Sequence, residues 1–191
     1  MATQSSKISA FPTREKGKSH GLRKEWSLIA NVKPGHEKQI RETILELFKG
    51  GGGEQAKHAD KTTLHDARFV LFDGDTRLMA GSTYEGSWDK YFEDHFASFG
   101  FDTPQSWNNW AKHCVGLPDK GARDIEEAKA WIFKYQVESV AFGVKIPNAT
   151  LMELQRALKV QKAFQQVLDN PDAAKALDHP ALKPLLELAA D

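Results

Sequence analysis

From Trp26 the chain alternates. Trp26, Leu28, Ala30 and Val32 interleave with Ser27, Ile29 and Asn31, the period-two pattern of a strand with one buried face. Lys33-Pro34-Gly35 turns the chain, and the period then lengthens. From Glu37, the residues Ile40, Ile44, Leu47 and Phe48 fall on one face of a helix. Four glycines, Gly50–Gly53, end it, because glycine is costly inside a helix; the polar stretch 54–63 reads as a loop. A second alternation puts His65, Ala67, Phe69 and Leu71 on one face and Asp66, Arg68, Val70 and Phe72 on the other. Asp73-Gly74-Asp75 supplies a hairpin turn and Leu78–Tyr84 the return strand. Ser87 is a good N-cap for a helix whose stripe Trp88, Tyr91, Phe92, His95, Phe96 and Phe99 follows helical spacing.

Next comes a helical insert, about 100–134. Thr103-Pro104 opens one short helix, closed by Gly116 and Pro118, and Asp124 caps another that runs into Trp131–Lys134. Gln136–Val144 reads as a strand, and Thr150 with Glu153 forms a capping box for a long helix that Asn170-Pro171 stops. Ala/Leu-rich turns, interrupted by Pro180 and Pro184, follow. The predicted organisation is a flexible basic arm over 1–24, an α+β domain over 25–170 and a helical extension over 171–191. The order β-α-β-β-α-(insert)-β-α is the ferredoxin-like plan, an antiparallel sheet with helices on one face. Its open face needs cover, which makes a homodimer with two sheets face to face the economical arrangement.

Composition narrows the class. The 191 residues carry 26 basic and 26 acidic side chains, so the whole chain is not built for nucleic acid. The basic arm, with Lys7, Arg14, Lys16, Lys18, Arg23 and Lys24 against Glu15, reads as a solvated tail. A single cysteine, Cys114, excludes an intramolecular disulfide and a cysteine-built zinc site. No apolar run reaches membrane-spanning length and no secretory h-region follows the N-terminus, giving a cytoplasmic expectation. The motifs HExxH, GxSxG and GxGxxG are absent.

The opening segment WSLIANVKPGHEKQI, the hairpin-helix unit and the order of elements resemble the dimeric α+β barrel superfamily over roughly Trp26–Leu168. That group includes antibiotic-biosynthesis-type monooxygenases that use no cofactor, and haem enzymes of the dye-decolorizing peroxidase and chlorite dismutase type. The resemblance implies a homodimer and a small-molecule oxidoreductase, monooxygenase-like or haem-dependent, with a pocket between sheet and helices. The insert departs from the compact monooxygenase pattern.

Individual residues then become candidates. His65 shares a strand face with Phe69 and Leu71, where its imidazole could serve as acid, base or ligand; a hydrogen-bonded strand-end histidine is the plainer account. His95 lies inside an apolar stripe. A buried imidazole needs partners for both nitrogens, so His95 is either a satisfied core histidine or a functional group, and the resemblance offers it as a haem ligand. The resemblance also implies Asn, Trp and Tyr side chains holding an aromatic substrate and its anion, residue types that Asn31, Trp88 and Tyr91 supply. Phe69 and His113, the latter sharing a helix face with Trp107 and Trp110, complete the candidate lining. The absence of any specific catalytic constellation keeps open a non-enzymatic dimer that binds an apolar small molecule or a partner protein.

Overall fold

A computed structural model describes residues 16–49, 63–101, 103–104 and 106–189. Residues 1–15 of the predicted arm, Gly50–Gly53 and positions 54–62 of the predicted loop lie outside the described residues.

The body is an antiparallel sheet of β1 (Ser19–His20), β2 (Arg23–Asn31), β3 (Leu64–Phe72), β4 (Arg77–Glu85) and β5 (Gln136–Val137). Taking the four main strands in chain order, β5 pairs β2, β2 pairs β4 and β4 pairs β3, which is the 4-1-3-2 order of the ferredoxin-like plan. Helix α1 (Glu37–Leu47) crosses from β2 to β3, and α2 (Trp88–Phe99) follows the hairpin. The insert forms α3 (Trp107–Ala111) and α4 (Ile125–Tyr135). Alternate sheet residues, Trp26, Leu28 and Ala30 with Leu78, Ala80 and Tyr84, join Ile40, Phe92, Phe96, Trp107 and Ile132 in one core, so the helices cover one sheet face. Capping at α2 and α4 follows the sequence, with the Ser87 and Asp124 side chains accepting from the backbone N–H groups of Lys90 and Glu127. In the hairpin turn Asp73, Gly74 and Asp75 all have φ between 53° and 66°, and Arg41 holds the Asp75 carboxylate through two 2.5 Å hydrogen bonds from Nε and Nη2.

Two expectations change at the β2 edge. The strand predicted over Gln136–Val144 is only the two residues of β5. The remainder of that edge is occupied: Ser19 and His20 pair with Lys24 and Arg23, and the Glu25 N–H donates to the Lys18 carbonyl. Residues displaced from the ladder run outside it, and Val140 is 98% exposed. The same pairing makes residues 16–24, expected in the arm, part of the fold. Lys16 Nζ donates to the Phe133 carbonyl, and Gln136 Nε2 donates to the Lys16 carbonyl.

A second compact unit begins at Ala149, not after residue 170. It holds α5 (Leu151–Leu168), α6 (Ala174–Leu177) and α7 (Lys183–Ala189). The capping box is present at Thr150 and Glu153. Pro184 stands in the first turn of α7, where proline lacks only an N–H that has no helical partner, and so it does not interrupt the helix.

Candidate functional site

Between sheet and helices lies a cavity of about 30 Å³, lined by Trp26, Phe69, Ser82, Tyr91, His95 and Trp107 among others. That is room for one or two waters. Its walls are aromatic because β2 and β3 present Trp26 and Phe69 on the helix side while α2 presents Tyr91, His95 and Phe99. Phe69 meets Trp110 edge-on at 5.2 Å, and His95 lies 4.7 Å from the Phe99 ring centroid.

The polar atoms are unusual. Ser82 Oγ and the Tyr91 hydroxyl are 2.8 Å apart and satisfy one another. By contrast Trp26 Nε1, His95 Nδ1 and Trp107 Nε1 are buried with no hydrogen-bond partner; the Trp26 N–H approaches the Tyr91 phenol without reaching hydrogen-bond geometry. Buried polar groups are ordinarily satisfied, and each unsatisfied one costs about 1–3 kcal/mol. Burial pushes the His95 imidazole down to about 4, so it is neutral at pH 7, and pushes the Tyr91 phenol up. The site therefore combines a neutral base with two indole donors in an aromatic enclosure.

The structure brings together Phe69, Tyr91 and His95 of the predicted site residues and separates the others. His65 does not share the face of Phe69. A β-bulge between Leu64 and Asp66 inserts it as an extra residue, Leu64 opposing Tyr84 and Asp66 opposing Thr83, and the added residue reverses the alternation. His65 meets Arg23 and Glu85 on the sheet face away from the helices. Arg23 Nη1 donates to Glu85 Oε1 at 2.5 Å and lies 2.5 Å from His65 Nε2, which also touches Glu85 Oε1. Arg23 is 2% exposed, so this is a buried ion pair closed by an imidazole. Asn31 ends β2 on that same face, opposite Arg77 and exposed, remote from the cavity by the alternation that puts Ala30 inside.

Trp88 is core: its indole donates to Gln136 Oε1 at 2.8 Å and its ring packs on Phe92. His113 belongs to a different cluster, its Nδ1 lying 2.9 Å from His36 Nδ1 and its Nε2 3.4 Å from Thr43 Oγ1. Burial and the charges of Lys112, His36 and Lys33 push it down to about 4. Cys114 is fully buried and its thiol is pushed up to about 12 by burial, which leaves it inert as a nucleophile. Sequence reasoning missed Trp26 and Ser82. The signal for Ser82 was present: it is the one polar position in the inward series Leu78, Ala80, Ser82, Tyr84.

At about 30 Å³, with its walls in contact, the cavity as it stands admits neither a haem nor an aromatic ligand, whose pockets run to several hundred Å³. Among the described residues no group of three or more His, Cys, Asp or Glu side chains is placed to hold a metal ion. A second hollow of about 300 Å³ lies in the insert, and Asn108, which lines it, has its amide engaged with the Phe101 carbonyl and the Ala122 N–H. No helix among the described residues is long and apolar enough to cross a membrane.

The architecture is thus an α+β protein with a ferredoxin-like sheet and a closed aromatic cavity. No family model and no curated protein matches the chain. Among solved structures it is similar to a Nitrosomonas europaea protein assigned provisionally as an antibiotic biosynthesis monooxygenase, at 14% identity and a TM-score of 0.35, over 69% of this chain and 99% of that one. A likeness that loose carries no conclusion about activity.

Proposed function

We propose that the protein is a small-molecule oxidoreductase of the cofactor-independent monooxygenase type, working in the sheet–helix cavity. The observation that carries the reading is the set of three unpartnered buried nitrogens on residues lining one cavity. A hydroxylated aromatic or enol substrate would answer all three: His95 Nδ1 accepts its proton, and the Trp26 and Trp107 N–H groups donate to the resulting anion. In the empty cavity an imidazole at about 4 is a weak base. The substrate anion formed beside it supplies a counter-charge in a low-dielectric setting and raises that value as the proton moves. The anion then gives an electron pair to dioxygen, forming a carbon–oxygen bond. Loss of water from a carbon that carried a second hydrogen leaves a carbonyl, so one oxygen atom enters the product and the other leaves as water. Entry requires the aromatic wall to swing aside, because the closed cavity holds only water-sized molecules.

A second reading, a binding protein without catalysis, is favoured by the same small volume, since the protein's own side chains fill the interior. Oxygen uptake with dihydroxynaphthalenes and no added cofactor separates the two. The proposed enzyme accelerates uptake over the buffer rate, and His95→Phe, folded by circular dichroism, abolishes the acceleration. Saturable quenching of tryptophan fluorescence without oxygen uptake gives the binding reading. Neither signal at millimolar probe overturns both.

A further inference from the structure

The second unit exposes a run of large apolar side chains. Helix α5 has 18 residues and none is buried. Met152, Leu158, Val160, Leu185 and Leu188 are between 44% and 74% exposed. Between α5 and α7 runs a groove of about 530 Å³, lined by Ala157, Val160 and Phe164 on one side and Leu185 and Leu188 on the other. In proteins most of a helix's stability comes from packing an apolar face rather than from intrinsic propensity. An exposed apolar groove rimmed by polar residues marks an interaction site.

Charge selects the occupant. Helix α5 carries Arg156, Lys159 and Lys162 against Glu153, a net of two positive; residues 169–189 carry Asp169, Asp172, Asp178 and Glu187 against Lys175 and Lys183, a net of two negative. An anionic lipid surface would attract the first half and repel the second. A two-fold arrangement of two copies meets both, laying the basic α5 of one against the acidic segment of the other while the apolar grooves close on each other. We propose that this chain dimerises through its C-terminal helical unit, groove to groove, with α5 and α7 of each copy forming a four-helix contact. Its residues are not those of the sheet that the sequence offered for a dimer, and the proposal does not depend on the cavity's function.

The test uses the full chain in analytical ultracentrifugation from 2 to 200 µM. The expected species is twice the 21.4 kDa chain mass. The exposed positions Val160→Glu and Leu188→Glu together should raise the dissociation constant at least a hundredfold with the far-UV circular dichroism unchanged. Ala157→Cys places the one accessible thiol on the groove, since Cys114 is buried, and it should form a disulfide-linked dimer under mild oxidation. A monomer throughout the range overturns the proposal. A dimer indifferent to Val160→Glu/Leu188→Glu also overturns it and assigns the interface to another face. Cosedimentation of a monomer with vesicles of phosphatidylcholine and phosphatidylglycerol overturns it in favour of a membrane.

Discussion

Acidification should destabilise this protein through its two low-lying histidines, and of His95 and His113, both pushed down to about 4, His95 is the one enclosed by aromatic rings. In the folded state burial holds the imidazole at about 4, and in the unfolded chain it returns to 6.5. Above pH 6.5 both states are neutral and the group contributes nothing to pH dependence. As pH falls below 6.5 the unfolded chain takes up a proton that the folded one refuses, so stability is lost down to about pH 4 and then levels. Between pH 7.5 and 4.5 that loss is about 2.5 kcal/mol, at 1.36 kcal/mol per pH unit with allowance for partial protonation at each end. Urea titration followed by tryptophan fluorescence measures it cleanly, because all five tryptophans lie in the unit ending at Asn148. With a slope near 2 kcal/mol/M the His95 share moves the midpoint by roughly 1 M. His95→Phe keeps an aromatic ring beside Tyr91, Phe96 and Phe99 and cannot titrate. Its midpoint should fall by about 1 M less than wild type over the same interval. Equal falls in the two proteins would refute the buried neutral imidazole, and so would an NMR titration placing the His95 ring above pH 5.5.

The other predictions concern single groups. Trp107→Phe removes a buried N–H that has no partner, so stability should hold or rise by up to about 1 kcal/mol by thermal melt, the reverse of an ordinary core truncation. Glu85→Gln leaves Arg23, 2% exposed, without its carboxylate, and should cost about 3 kcal/mol in urea unfolding at pH 7. Lys129→Met keeps the buried stem but releases Asp89, Glu93 and Glu126, which Lys129 Nζ contacts at 2.8–3.0 Å; with those carboxylates part-exposed the loss should be only about 1 kcal/mol, shrinking in high salt. Cys114 should resist a thiol reagent at pH 8 until urea unfolds the chain, and fast labelling of the native protein would contradict its burial.

Periodicity carried most of the fold. The alternation from Trp26, the Glu37 helix and the Asp73-Gly74-Asp75 turn are local patterns, and local patterns persist when the chain packs. What failed depended on non-local partners. Nothing in Gln136–Val144 says that residues 18–20 already hold the β2 edge; only the pairing of Ser19 with Lys24 shows it. The face of His65 failed for a subtler reason. Alternation assumes an unbroken ladder, and one inserted residue reverses every assignment on its far side. His95, read from a helix stripe that no bulge interrupts, fell where the pattern put it.

That reversal matters to the chemistry. The bulge leaves the sheet with two polar clusters of opposite character on its two faces. Arg23, Glu85 and His65 form an ionic group whose members satisfy one another. On the helix side Trp26, His95 and Trp107 stay unpaired, and at about 1–3 kcal/mol each they consume a large share of the roughly 5–15 kcal/mol that holds a domain together. Phenylalanine at any of the three would relieve that cost, offset at Trp26 and Trp107 by the cavity the smaller ring leaves. Polar atoms held at such expense, on residues around one cavity, make sense where a bound molecule supplies the missing partners. The stability gained from Trp107→Phe and the binding lost with it should therefore appear in the same variant. A variant that gains stability and still quenches normally with dihydroxynaphthalene would detach the indole N–H from the proposed site.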